Sequence, residues 1–141
     1  RGLVGSEMCI RDRIYGIEIQ YVTEIIEMQH ITKIPHVPPY IKGIINVRSK
    51  VVPIVDIRSR FGKEEIPYTS RTCIIILSLN EMSVGIIVDS VADVEDIHSH
   101  DISATPENRS VNTNSFIQYM IRSGDDVKLI LDVAKLLDDE G

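Results

Sequence analysis

The sequence has no tryptophan, two cysteines, and only ten alanines and leucines together among its 141 residues. Cys9 and Cys73 are too few for a disulfide framework or a cysteine-based zinc site. Ala and Leu lead the helix-forming scale, so their scarcity argues against a helical protein. No apolar run exceeds Cys73–Leu77, whereas a membrane-crossing helix needs about 20 apolar residues. The start shows no charged n-region, apolar h-region and cleavage site, so secretion is not indicated. Lys and Arg number 15 against 21 Asp and Glu, and a net charge of −6 does not suit a general nucleic-acid binder. What the chain has in plenty is Ile, with 24, and Val, with 14. β-Branched side chains are stiff at χ1 and suit a pleated, half-buried surface. The expectation is a cytoplasmic, mainly β protein, built as one ordinary domain or two very small ones.

Strand patterns are dense from Ile14 onward. Tyr15, Ile17, Ile19 and Tyr21 alternate with Gly16, Glu18 and Gln20, the period of a strand with one wet face. The run Val51–Ile57 reads as another strand, with Pro53 at an edge or bulge because it has no N–H to give. Further strands are expected at 72–79, 84–90, 116–122 and 126–133, with Asn80-Glu81 as a tight hairpin turn. Helix signals are short: Asp56 before 57–61 and Asp132 before 133–137, where each Asp can cap exposed N–H groups. Residues 62–71 and 103–115, polar and holding Pro67 and Pro106, read as loops.

The first thirteen residues fit this pattern poorly. The chain starts without Met, and Gly5-Ser-Glu-Met-Cys-Ile-Arg-Asp-Arg13 resembles translated sequencing-adapter read-through. Residues 1–13 are therefore set aside as a non-native arm, as a fusion scar would be. Met8-Cys9-Ile10 is still able to pair as a makeshift strand, with Arg11-Asp12 as its turn, because an adjacent strand edge invites pairing.

Laid on itself, the chain repeats. Gly16-Ile-Glu-Ile-Gln-Tyr-Val-Thr-Glu-Ile25 matches Gly85-Ile-Ile-Val-Asp-Ser-Val-Ala-Asp-Val94 at an offset of 69 residues. Ile31…Pro35 matches Ile102…Pro106 at 71, and Asp56-Ile57 matches Asp132-Val133 at 76. An offset that grows in one direction is what a duplication with small loop insertions produces. The reading is two copies of one β module, each closing a small barrel and so removing exposed strand edges. They are placed as two interleaved subdomains around about 14–70 and 71–133, with 14–137 as the whole domain and 138–141 as a tail.

Gly43-Ile-Ile-Asn-Val-Arg-Ser-Lys-Val-Val-Pro-Ile-Val-Asp-Ile-Arg58, followed by Phe61-Gly62, resembles the signature hairpin of the CheW-like family of chemotaxis coupling proteins. Tyr15–Ile19, Val22–Ile25, Ile31–Pro35, Val84–Val91 and Leu129–Val133 resemble that family in type, order and spacing. The likeness implies two five-stranded SH3-like barrels facing each other across a hydrophobic seam. Two departures stand out. The family's first strand belongs where the arm lies, and Ser49 occupies a turn position where the family usually has Gly, which supplies positive φ at no steric cost.

The resemblance implies an adaptor, not an enzyme. Such proteins bridge chemoreceptor cytoplasmic tips and the regulatory domain of the histidine kinase CheA. They need no cofactor or metal, bind no nucleic acid and do not insert into the membrane. Gly43, Asn46, Val47, Arg48 and Ser49 fall on the family's partner-binding hairpin, and Glu24 matches the acid near its arginine. Glu24 and Arg48 can form a bidentate pair that fixes a guanidinium at an interface rim. The plainer reading is an exposed salt bridge worth about 0–1 kcal/mol with no partner role. Of Ile44, Ile45, Val47 and Val52, about half can point outward, since faces alternate along a strand. A second reading makes the chain a regulatory domain cut from a larger CheA or CheV-type protein. A third, an enzyme or metalloprotein, rests on His98-Ser-His100-Asp101, whose two histidines share a strand face. Cys73, in an apolar strand, reads as inert packing.

Overall fold

The computed structural model describes residues 3–10, 13–61, 67–91, 95–96, 102–103, 116–123 and 126–137. The strands are β1 (Leu3–Ile10), β2 (Arg13–Glu18), β3 (Val22–Glu27), β4 (Ile41–Val47), β5 (Lys50–Asp56), β6 (Cys73–Leu79), β7 (Met82–Val88), β8 (Glu95–Asp96), β9 (Ile102–Ser103), β10 (Ile117–Ser123) and β11 (Asp126–Leu131). Two short helices, α1 (Ile57–Arg60) and α2 (Val133–Leu137), follow β5 and β11. Residues 19–21, expected to continue the first strand of the pattern, turn instead through a single 3₁₀ turn into β3.

The strands form two sheets, ordered β8-β1-β2-β11-β10-β9 and β3-β6-β7-β5-β4. One therefore carries six strands where five were expected, two of them only two residues long. The sheets are built alike. β2 runs parallel to β11 with Gly16 beside Ile130, and β7 runs parallel to β5 with Gly85 beside Ile54. These partners are separated by the same offsets of 69 and 76 residues that the sequence repeats. The bridge from Thr32 to Ile44 corresponds to the pairing of Ser103 with Met120. The repeated segments 16–18 and 85–88 lie in different sheets, as a duplication requires.

The sheets do not divide at residue 70. β3, β4 and β5 join β6 and β7 in the five-stranded sheet, while β2 joins β10 and β11. One unit is thus continuous in sequence and the other is made from the two flanks of the chain. Pairing also does not stop at residue 14. β1 lies antiparallel to β2, with Met8 opposite Tyr15 and Ile10 opposite Arg13. Backbone N–H and C=O groups supply that ladder, so the pairing makes little demand on which side chains the arm carries.

The continuous apolar run at 73–77 has a physical reason: β6 is buried on both faces. Ile75 and Leu77 join a cluster with Tyr15, Ile17, Phe116 and Leu129 of the six-stranded sheet and its flank. Ile74 and Ile76 turn the other way, into a separate core with Ile45, Val52, Ile54 and Ile87. The first cluster is the seam between sheets and the second is the interior of the five-stranded unit. At the seam Phe61 stacks on Phe116 at 5.3 Å and meets Tyr15 edge-on at 5.5 Å. The Arg60 guanidinium lies 4.3 Å from the Tyr40 ring centre and 4.7 Å from that of Phe116, a favourable use of the ring quadrupole.

Both aspartates cap as expected. Asp56 Oδ1 accepts from the Arg58 N–H at 3.0 Å, and Asp132 Oδ1 from the Lys135 N–H at 3.3 Å. Asp56 is buried and its second oxygen accepts from the Tyr68 hydroxyl at 3.0 Å. The hairpin at Asn80-Glu81 also forms, with Leu79 opposite Met82 and both turn residues at positive φ.

Candidate partner-binding hairpin

β4 and β5 pair from Ile41–Val55 to Val47–Lys50, which leaves Arg48 and Ser49 as a two-residue turn. Their φ values are 54° and 67°, the positive pair that matches the strands' right-handed twist and favours Asn-Gly in most proteins. Ser49 takes the second position of this turn. It adopts the left-handed conformation at a cost of about 1–2 kcal/mol.

The turn projects Arg48 into solvent, with its side chain 81% exposed. Its Nε donates to Glu24 Oε2 at 3.1 Å and its Nη2 to Glu24 Oε1 at 3.3 Å. Glu24 belongs to β3, at the far end of the strand order from β4. A side chain at one end of the sheet reaches the strand at the other only because the sheet curls round on itself. The guanidinium plane is held by a matching carboxylate fork, a geometry that lysine cannot copy.

The other expected site residues divide. Asn46 and Ser49 are exposed and Val47 is half-buried, all close to the turn. Gly43 is buried, at φ 145°, with the Thr32 carbonyl and Ile31 where a Cβ would stand. Its part in the site is backbone room beneath residues 31–32. Ile45 and Val52 fill the interior, whereas Ile44 is only half-buried. Val51, 60% exposed opposite Asn46, was not singled out in the sequence. Its alternation with buried Val52 was the available signal.

His98 and His100 lie outside the described residues. Among the described residues no three His, Cys, Asp or Glu side chains gather in a way that could hold a metal ion. Cys73 donates to the Arg71 carbonyl at 3.3 Å. Burial pushes its thiol up, and the Glu27 carboxylate adds to that, so less of the reactive thiolate is present at a given pH. In a Cys9→Ser background, iodoacetamide should alkylate Cys73 several-fold more slowly than free cysteine at pH 8, with a rate still climbing above pH 9. A rate equal to that of free cysteine would contradict the assignment.

The fold is thus a pair of packed β units, one of which carries an exposed charged hairpin turn. Residues 7–141 match the CheW-like domain family. The sequence is 33% identical over 140 residues to the chemotaxis protein CheW of Klebsiella aerogenes, covering 97% of this chain and 84% of that one. It is 34% identical over 131 residues to the chemotaxis protein CheW of Bacillus subtilis, covering 93% and 84%. The crystal structure of the scaffolding protein TtCheW from Thermoanaerobacter tengcongensis superimposes with a TM-score of 0.84 at 29% identity, over 94% of this chain and 84% of that one. The chain belongs to the CheW-like domain family.

Proposed function

We propose that this protein is a non-enzymatic adaptor of bacterial chemotaxis that couples the cytoplasmic tips of chemoreceptors to the regulatory domain of the histidine kinase CheA. It works in the cytoplasm, at receptor arrays; none of its described helices is long and apolar enough to cross a membrane. The observation that carries this reading is the Arg48–Glu24 fork at the hairpin tip. A mobile surface arginine loses side-chain entropy on docking, whereas one already oriented by a carboxylate loses less. Asn46 and Val51 stand side by side on the same exposed hairpin and extend the contact with an amide and an apolar surface.

Arg48→Ala is expected to weaken pull-down of the receptor tip or the kinase regulatory domain by tenfold or more. The melting temperature should move by no more than about 2 °C, because exposed pairs contribute about 0–1 kcal/mol. Arg48→Lys should not restore binding. Glu24→Ala should be partly redundant with Arg48→Ala in a double-mutant cycle, since the second change removes a pair already broken. Parental binding by Arg48→Ala to both partners would end the reading of this hairpin. A large fall in melting temperature would make Arg48 structural instead.

A further inference from the structure

Beside the fork lies an open cleft of about 140 Å³, floored by Val52 and Ile76 and walled by Thr23, Ser78, Ser83 and Lys50. Four neighbouring strands contribute to it: Thr23 from β3, Ser78 from β6, Ser83 from β7 and Lys50 from β5. A chain of hydrogen bonds crosses them. Lys50 Nζ donates to Ser83 Oγ at 3.3 Å, Ser83 and Ser78 hydroxyls lie 3.0 Å apart, and Ser78 and Thr23 hydroxyls 2.9 Å apart.

Proton bookkeeping gives this chain a direction. An ammonium only donates, so the Ser83 oxygen accepts from Lys50. Each hydroxyl that accepts becomes a better donor, which favours passing protons from Ser83 to Ser78 and from Ser78 to Thr23. The Thr23 hydroxyl then has its own proton to offer, and Thr23 is exposed. Donors therefore face the cleft from both ends.

The charge is equally one-sided. Glu24 is neutralised by Arg48, while Lys50 meets only the Ser83 hydroxyl among the described residues. A cleft with surplus positive charge, donors at both ends and an apolar floor suits a carboxylate carried on one or two methylenes. At about 140 Å³ and open to solvent, the cleft accommodates such a group.

We infer that this cleft is a socket for one acidic side chain, Asp or Glu, of the protein partner that docks on the Arg48 hairpin. Lys50 pairs with its carboxylate and Thr23 donates a second hydrogen bond. The inference rests on the adaptor reading of that hairpin and adds the chemistry that the hairpin's neighbour recognises.

The test measures dissociation constants of the full chain for a receptor cytoplasmic-tip fragment and for the kinase regulatory domain at three salt concentrations. Lys50→Gln, Lys50→Glu, Thr23→Val and Arg48→Ala are compared with the parent, each with its melting temperature. Lys50→Gln should weaken one of the two complexes about tenfold and flatten its salt dependence, because one charge pair is gone. Lys50→Glu should weaken it further, and Thr23→Val about threefold. Reversing acidic residues of that partner to lysine one at a time should restore Lys50→Glu at a single position. If Arg48→Ala loses binding while both Lys50 variants bind within twofold of the parent at every salt, the socket is overturned and the hairpin stands. If Arg48→Ala is also silent, the adaptor reading of the hairpin falls with it. A drop of more than about 5 °C in Lys50→Gln would place the lysine in the fold and overturn the socket as well.

Discussion

Gly43→Ala is expected to destabilise the protein by about 3 kcal/mol or more, lowering the melting temperature by roughly 10 °C. Two costs combine. At φ 145° an L side chain is strained whatever the space around it, and here the new Cβ would also collide with the Thr32 carbonyl. The obstacle is backbone, which cannot rotate away. Relief requires residues 31–32 to lift from β4, at the expense of the Thr32–Ile44 bonds of 2.9 and 2.8 Å, each worth about 1 kcal/mol. Gly85→Ala provides the comparison. Its Cβ would meet the side-chain carbons Ile54 Cδ1 at 2.7 Å and Ile74 Cγ2 at 2.9 Å. Those atoms have more room to give, so the cost should be an overpacking penalty of about 1–3 kcal/mol. Thermal melts followed by circular dichroism decide the matter. A Gly43→Ala protein melting within 2 °C of the parent would contradict the close approach of residues 31–32.

Arg58→Ala is expected to cost about 3 kcal/mol. The side chain is only 6% exposed and holds Asp89 through Nε–Oδ1 at 3.0 Å and Nη2–Oδ2 at 2.5 Å. The pair ties the first helical residues after β5 to the residue following β7, so it locks the two parallel strands where their ends meet. Removing one partner leaves a part-buried carboxylate without its cation, and the loss of packing around a buried stem adds to the cost. Arg58→Met with Asp89→Leu should recover much of the loss, because replacing both charges removes the desolvation penalty together with the attraction. Denaturant titrations of the two single variants and the double variant test this. Strictly additive losses would show that the two side chains are not coupled.

Much of this fold was legible because β-branched residues fall in short runs separated by turn chemistry. Gly16 and Gly85 gave the duplication away, since both sit in the strand that pairs in parallel with the end of a repeat. The division of the chain between sheets was not legible. Nothing local in Val22–Glu27 announces that its partner is Cys73–Leu79, and its alternating half-buried and exposed residues give only a weak apolar signal. The arm is a similar case, because its ladder to β2 is made by main-chain groups that composition does not reveal. At the site, the pairing of Glu24 with Arg48 came from family likeness, and the structure gives it two hydrogen bonds of 3.1 and 3.3 Å. Lys50, Ser83, Ser78 and Thr23 were invisible because 33 residues separate the first two and 55 the last two. Only the sheet register places them side by side. Gly43 was placed on the hairpin by family likeness, and its positive φ beneath Thr32 is a backbone requirement that no local pattern announces.

The most direct measurement is assembly of the bridge itself. The receptor cytoplasmic-tip fragment, the kinase regulatory domain and this protein are mixed at micromolar concentrations and separated by size-exclusion chromatography with light scattering. The three should co-elute as one species with this protein present, and the Arg48→Ala variant, folded by its melting temperature, should fail to form it. A ternary species of equal yield and mass with Arg48→Ala, or parental protein that elutes as a lone monomer, would contradict the adaptor role assigned to this hairpin.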